Sequence, residues 1–170
     1  MNDTWMMQPE LEALVTLLYH TAIGEFMRES RWAWAIFESL HFTGMSLLIG
    51  TVGIFDLRLM GFARRIPLAA LHRLIPLGVS GFVLNAVTGF CFICATPDQY
   101  IFNMAFRVKA TFLIVAGLNV LFFYSRVFRR LDRLPDDARP PVGARLAGLV
   151  SLSAWVGVMS AGRLLTFFRP

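Results

Sequence analysis

Charged side chains are scarce in this chain, at 16% of 170 residues, and lysine is nearly absent: all but one of the 16 basic residues are arginine, the exception being Lys109. There is no Gly-rich phosphate loop, no serine–histidine–acid arrangement, no low-complexity tract and no convincing internal repeat. Nucleotide-loop chemistry, triad hydrolysis and a repeat architecture therefore find no support. Glutamate is missing from three of the four long apolar runs, which excludes a di-iron carboxylate bundle, because that site needs two Glu-x-x-His motifs and two further glutamates. The first residues lack the basic start and cleavage pattern of a signal peptide and carry Asp3, Glu10 and Glu12 instead.

What the chain has in quantity is apolar surface. Hydrophobic residues make up 56% of it, and the mean hydropathy is +0.61. Four runs, near residues 32–57, 74–95, 104–127 and 146–168, reach the roughly 20 residues a helix needs to cross a hydrocarbon core. Lipid offers no hydrogen-bond partners, so the spans are expected as helices. The fold class is all-α: a single integral membrane domain over 1–170, a four-helix bundle in contact with the lipid bilayer. Residues 10–28 carry Leu11, Leu14, Val15, Leu18, Ala22 and Phe26 on one stripe and are too polar to span easily, which predicts an interfacial helix.

The net charge of +5 raises the question of nucleic acid, but the arginines lie between apolar spans rather than on a soluble face, so no nucleic-acid partner is expected. Arg64, Arg65 and Arg73 follow the first span, and Arg126, Arg129, Arg130, Arg133, Arg139 and Arg145 follow the third. The connection after the second span, Thr96-Pro97-Asp98-Gln99-Tyr100, has no basic residue. By the positive-inside rule both arginine-rich loops are cytoplasmic and both termini periplasmic, as in a multi-pass protein of a bacterial inner membrane. The prolines of the 133–141 loop end the third helix before the fourth begins.

Small and polar residues mark the packing faces. Gly78, Gly81, Asn85, Thr88 and Gly89 share about a third of the second span, and Ser153, Gly157 and Ala161 repeat along the fourth. Asn119 is expected to hydrogen-bond between helices. These faces on four short helices also predict a homo-oligomer.

Two polar clusters follow once the spans are oriented. The outer one gathers Glu38 and His41, three residues apart on one helix face, with Arg107, Lys109 and Arg163; the inner one gathers Asp56, Arg58, His72 and Arg73. Ionisable groups at membrane depth are costly and tend to face a protein interior, a partner or a cofactor. Haem b suits the outer cluster: imidazole coordinates iron, arginine and lysine neutralise propionates, and Glu38 would orient the imidazole. The competing reading is a Glu–His or Glu–Arg hydrogen-bond network that only joins helices. Some 16 residues, or about 24 Å, separate His41 from the inner end of its helix, where His72 sits, so the two cannot share one iron. If both bind haem there are two sites, and the second axial ligand at His41 would be His20, a residue of another protomer, or no protein residue. His20 lies almost opposite the apolar stripe of its helix. Cys91-Phe92-Ile93-Cys94, with Met104 not far along, is a lone Cys-x-x-Cys that can hold copper(I), form a disulfide or simply pack.

Leu40-His41-Phe42-Thr43-Gly44, Gly50 and Asp56-Leu57-Arg58-Leu59-Met60-Gly61 resemble the first helix of a family of bacterial four-helix membrane proteins of unknown function. The likeness continues through Gly81-Phe82, Thr88-Gly89, Phe106-Arg107-Val108-Lys109, Gly117-Leu118-Asn119, Trp155 and Gly162-Arg163, and so covers nearly the whole chain. More distantly, the His-x-x-Gly helix and the lysine-bearing third helix are similar to the membrane domain of copper-resistance D proteins and to the four-helix protoporphyrinogen oxidase of bacteria. In that oxidase a first-helix histidine and a third-helix lysine are functionally important and haem is associated with the fold; His41 and Lys109 match those positions. The residues after His41 and the Asp56-Leu57-Arg58 ending depart from the oxidase pattern, so the resemblance implies the fold and a haem-associated site rather than porphyrinogen oxidation.

The expectation is thus a membrane-embedded b-type haem protein that passes electrons to or from quinone, a redox protein or an oxygen species. If it turns over a substrate, it does so as a haem-dependent oxidoreductase. His41 is the axial ligand, Arg107, Lys109 and Arg163 hold propionates, and His72 with Arg58 or Arg73 is the candidate for a second haem. Copper transport or delivery through His41, Cys91, Cys94 and Met104 is one alternative, and an accessory subunit whose polar groups only lock helices is another.

Overall fold

The computed structural model describes residues 9–131 and 139–168. Asp3, Arg133 and most of the proline-bounded loop lie outside the described residues, as does the side chain of Arg130. The chain is an all-α membrane bundle. Among the described residues its helices are α1 (Pro9–Tyr19), α2 (Ala22–Glu29), α3 (Ala33–Met60), α4 (Leu68–His72), α5 (Ile75–Ala95), α6 (Pro97–Ile101), α7 (Met104–Phe122), α8 (Phe128–Leu131) and α9 (Val142–Leu164). A π-turn, Phe123–Val127, joins α7 to α8. Among the described residues four helical stretches are long and apolar enough to cross a membrane: Ala33–Met60, Leu68–Ala95, Met104–Val127 and Val142–Leu164. Their outward faces carry residues such as Ile36, Phe42, Val83, Val87, Ile114, Leu118, Leu121 and Val156, the surface a hydrocarbon solvent requires.

Local chemistry explains where the helices differ from the sequence-based bounds. The single helix expected over 10–28 is divided at His20–Thr21, because the Thr21 side chain accepts from the Gly24 N–H and starts a new helix. The break resets the helical phase: Gly24 and Met27 turn inward, whereas Phe26, on the expected apolar stripe, is exposed. The fourth span begins at Val142, directly after Pro140 and Pro141, because Pro141 sits as its N-cap and cannot continue a helix backwards. The first span runs on to Met60 and stops at Gly61, whose left-handed φ of 100° lets its N–H bond the Arg58 carbonyl and that of Phe62 the Leu57 carbonyl.

Packing follows the small residues. α3 lies along α5 and α9, and α9 along α7, so the packed order is α5–α3–α9–α7. At the α3–α5 crossing Gly44 and Gly81 bring backbone against backbone, and Gly78 sits on Thr51. At α7–α9, Gly157 receives the Phe112 ring and Asn119 Nδ2 donates to the Ala147 carbonyl at 3.0 Å, the interhelical bond expected of it. At α3–α9, Gly148 rests on the Asp56 carbonyl. On α9 the buried stripe is Ala144, Gly148, Ser151 and Trp155, so Ser153, assigned to the small face, points outward instead. Asn103 closes one end: its Oδ1 caps Ala105 at 2.9 Å while its Nδ2 donates to the Leu165 and Phe168 carbonyls.

At that same end α1 and α2 lie over the end of α5. The Arg28 guanidinium donates to the Tyr19 carbonyl at 2.6 Å and to the Cys94 and Ala95 carbonyls at 3.3 and 3.2 Å, supplying partners for carbonyls that a helix end leaves unbonded. At the opposite, arginine-rich end, Phe55, Leu59, Leu71, Phe123, Val127 and Ala144 form a core cluster.

Candidate functional site

His41 projects from α3 onto α5, half-buried against Thr88, Gly89 and Phe92. Its Nδ1 lies 2.7 Å from Thr88 Oγ1, its ring meets that of Phe92 edge-on at 5.7 Å, and its Cε1 lies over the bare backbone of Gly89. Thr88, 1% exposed, sends its hydroxyl back along its own helix, 2.7 Å from the Leu84 carbonyl. A hydroxyl has one proton, and two oxygens at that separation need it between them. The Thr88 oxygen is therefore the acceptor for His41, which fixes the imidazole as the Nδ1–H tautomer and leaves the lone pair on Nε2. A ring oriented and protonated in this way is the arrangement found around metal-ligating histidines.

This corrects the role expected of Glu38. Its carboxylate is exposed, and Thr88 on α5, not Glu38 on the same helix, holds the ring. Glu38 acts instead on Tyr100 in α6: burial first, and then this carboxylate, push the Tyr100 phenol above its ordinary range. Replacing Glu38 with glutamine is expected to bring that phenol down part of the way, still above 10, since burial is the larger cause. An ultraviolet difference titration of the two proteins reads the shift; an unmoved phenol contradicts the placement.

Lys109 extends from α7 beside Gly162 of α9 and is close enough to act electrostatically on His41. The structure thus brings together His41 from the α3–α5 pair and the lone lysine from the α7–α9 pair. Arg107 and Arg163 lie on exposed surfaces of α7 and α9. His20 stands exposed at the α1–α2 break with its ring edge-on to Tyr19 at 5.4 Å. Tyr19 is tied through Arg28 to Cys94 and Ala95, six residues or about 9 Å beyond Thr88 along α5. His20 therefore lies at the surface near the α5 end of the bundle.

In the second cluster the side chains turn to different partners among the described residues. His72 stacks on Phe128 at 4.7 Å, with Nε2 3.3 Å from the Tyr124 hydroxyl and Phe55 alongside. Phe55 is 14 residues from His41 on α3, about 21 Å, so the two histidines occupy opposite ends, as their spacing required. The π-turn rotates Phe123 and Val127 inward and sets Tyr124 toward His72. Arg58, 3% exposed, donates from Nε to the Ile66 carbonyl at 3.0 Å, and Arg73 is exposed. Asp56, also 3% exposed, turns to Ser151 of α9, and its Oδ2 finds no hydrogen-bond partner among the described residues.

Cys91 and Cys94 are free thiols buried at the α5 end, where Cys91 packs with Met27, Ala33 and Phe92. Met104 is 60% exposed at the start of α7. Among the described residues no three His, Cys, Asp or Glu side chains lie close enough to share one metal ion. A haem asks less of the protein than a bare ion, since the porphyrin supplies four ligands and the chain one or two. The bare backbones of Gly89 and Gly162 lie beside His41 and Lys109 respectively.

Sequence reasoning missed Thr88 as the partner of His41. The available signal was its place on the small-residue face of the second span. No protein-family model, curated protein or solved structure matches the chain.

Proposed function

We propose that this chain is a membrane-embedded b-type haem protein that passes electrons, with quinone, a redox protein or an oxygen species as its partner. The observation that supports this reading is the relay His41 Nδ1–Thr88 Oγ1–Leu84 carbonyl, which presents a lone pair on Nε2 from a fixed ring. Glu38 is exposed and takes no part in the relay; the imidazole joins α3 to α5 through Thr88, so the relay serves helix packing as well. Haem, when bound, supplies one-electron chemistry. The chain's own residues would coordinate through His41, balance propionate charge through Lys109 with Arg107 and Arg163, and exclude water with Phe92. The reading commits to one haem per chain, because the ring of His72 is stacked on Phe128 and its Nε2 is engaged by Tyr124. A homo-oligomer is part of the proposal, since a neighbouring chain could contribute a second ligand. So is a bacterial inner membrane, with the arginine-rich end cytoplasmic and the termini periplasmic.

Thr88→Val tests the relay, because valine keeps the shape and removes the acceptor. Haem affinity is expected to fall about ten- to hundredfold, as for other loss of a ligand's supporting bond, and Thr88→Ser to restore it. The reduction potential of whatever haem remains should shift. Unchanged affinity and potential in Thr88→Val would show that the ring is not held for a metal. Copper without iron in the purified wild type would favour the copper reading instead.

A further inference from the structure

At the arginine-rich end a cavity of about 320 Å³ opens between the end of α3 and the start of α9, lined by Met60, Gly61, Arg64, Arg139, Pro140 and Arg145. We propose that this cavity binds a phosphate-bearing anion, such as the headgroup of an acidic phospholipid. The proposal stands on the membrane fold and is independent of the haem reading.

Arg64, Arg139 and Arg145 line one small space, and none of the three is paired with a carboxylate among the described residues. Like charges gathered in this way repel unless an anion sits among them. Arginine's planar fork of donors matches phosphate oxygens two at a time, which lysine cannot do. The backbone adds to the field. α9 begins at Val142, 23 residues long, with Pro141 at its N-cap and no side chain capping it. Its first N–H groups and the positive end of its dipole therefore lie beside Arg139 and Pro140, and such a helix start favours phosphate. On the other wall, the left-handed turn at Gly61 satisfies the Leu57 and Arg58 carbonyls, which would otherwise repel an anion. The same turn carries the chain out of α3 so that Arg64 lines the cavity. The volume is at the small end for ligand sites and is enough for a phosphate with its glycerol stub. Its position at the end of two spans is headgroup level, where basic pockets between helices take up acidic lipids.

The test titrates the full chain in detergent with phosphatidylglycerol and counts bound lipid by native mass spectrometry. The double variant Arg64→Gln, Arg145→Gln is compared with Arg126→Gln, Arg129→Gln, which removes the same charge from exposed positions outside the cavity. The pocket pair is expected to weaken binding about thirtyfold, the sum of two surface-level arginine contributions, and the control pair less than about threefold. Should the pocket pair unfold, Arg139→Gln alone is expected to cost about fivefold. Inorganic phosphate is added in a second arm. Displacement of the lipid assigns the cavity to phosphate of either source, and retention in excess phosphate assigns it to the lipid headgroup; both support the proposal. Equal losses in the two pairs would mean diffuse surface charge and would overturn it, as would a wild type that retains neither probe.

Discussion

His41→Ala is expected to abolish haem binding, with visible absorbance per folded chain falling more than about a hundredfold, beyond what loss of a supporting hydrogen bond costs. The fold should survive the change. His41 is half-buried, its contacts are Thr88, Gly89 and Phe92, and the Thr88 hydroxyl keeps its own bond to the Leu84 carbonyl when the imidazole leaves. The melting temperature in detergent is therefore expected to move by only the few degrees that one lost hydrogen bond and a small cavity produce. Added imidazole should restore part of the absorbance by occupying the space the side chain left. His72→Ala serves as the comparison: it removes a ring stacked on Phe128 and should lower stability while leaving the spectrum unchanged. If His41→Ala keeps the wild-type spectrum, His41 is not the ligand.

Gly81→Val should damage the bundle more than any other glycine replacement in a span. A Cβ at Gly81 would lie 2.6 Å from the Gly44 carbonyl oxygen and 2.9 Å from the Leu48 nitrogen, both backbone atoms of α3 that cannot rotate away. The two helices must separate, and with them the His41–Thr88 contact one to two turns further along. A loss of about 3 kcal/mol or more is expected, at the upper end for overpacking because backbone rather than a side chain is struck. Gly50→Ala and Gly117→Ala are the controls, since a Cβ at either position meets nothing within 4 Å. They should stay within about 1 kcal/mol of the wild type and can gain from better helix propensity. Reversible unfolding in mixed micelles compares the three; a Gly81→Val protein as stable as the controls would mean that α3 and α5 do not cross at these glycines.

Much of this arrangement was legible in the sequence, for reasons that separate it from what was not. Span positions follow from hydrocarbon thickness, which acts on composition alone. The glycine face of the second span and the interhelical role of Asn119 follow from helical periodicity, and so does the distance between His41 and His72. Each of these needs only one helix. The partner of His41 needs two. Glu38 stands three residues away and was the nearest candidate along the chain, but the register between α3 and α5 puts Thr88 within 2.7 Å of the ring, and that register is set by backbone contact at Gly44 and Gly81. The arginine-lined cavity was hidden for the same reason: Arg64 follows the first span and Arg145 lies in the first turn of α9, two spans later, and only packing of α9 on α3 makes them neighbours. Two local features escaped for a different reason. Ala22 and Phe26 stay in phase with Leu18, so the apolar stripe runs unbroken across the Thr21 cap that ends it. The π-turn at Phe123–Val127 inserts one residue into an apolar stretch without altering its hydropathy.

The most direct test of the account is the visible absorption spectrum, with an iron and copper assay, of the wild-type chain purified in mild detergent from haem-supplied cells. A single b-type site requires a Soret band that shifts on reduction and about one iron per chain. A folded chain with no such band and no iron contradicts it.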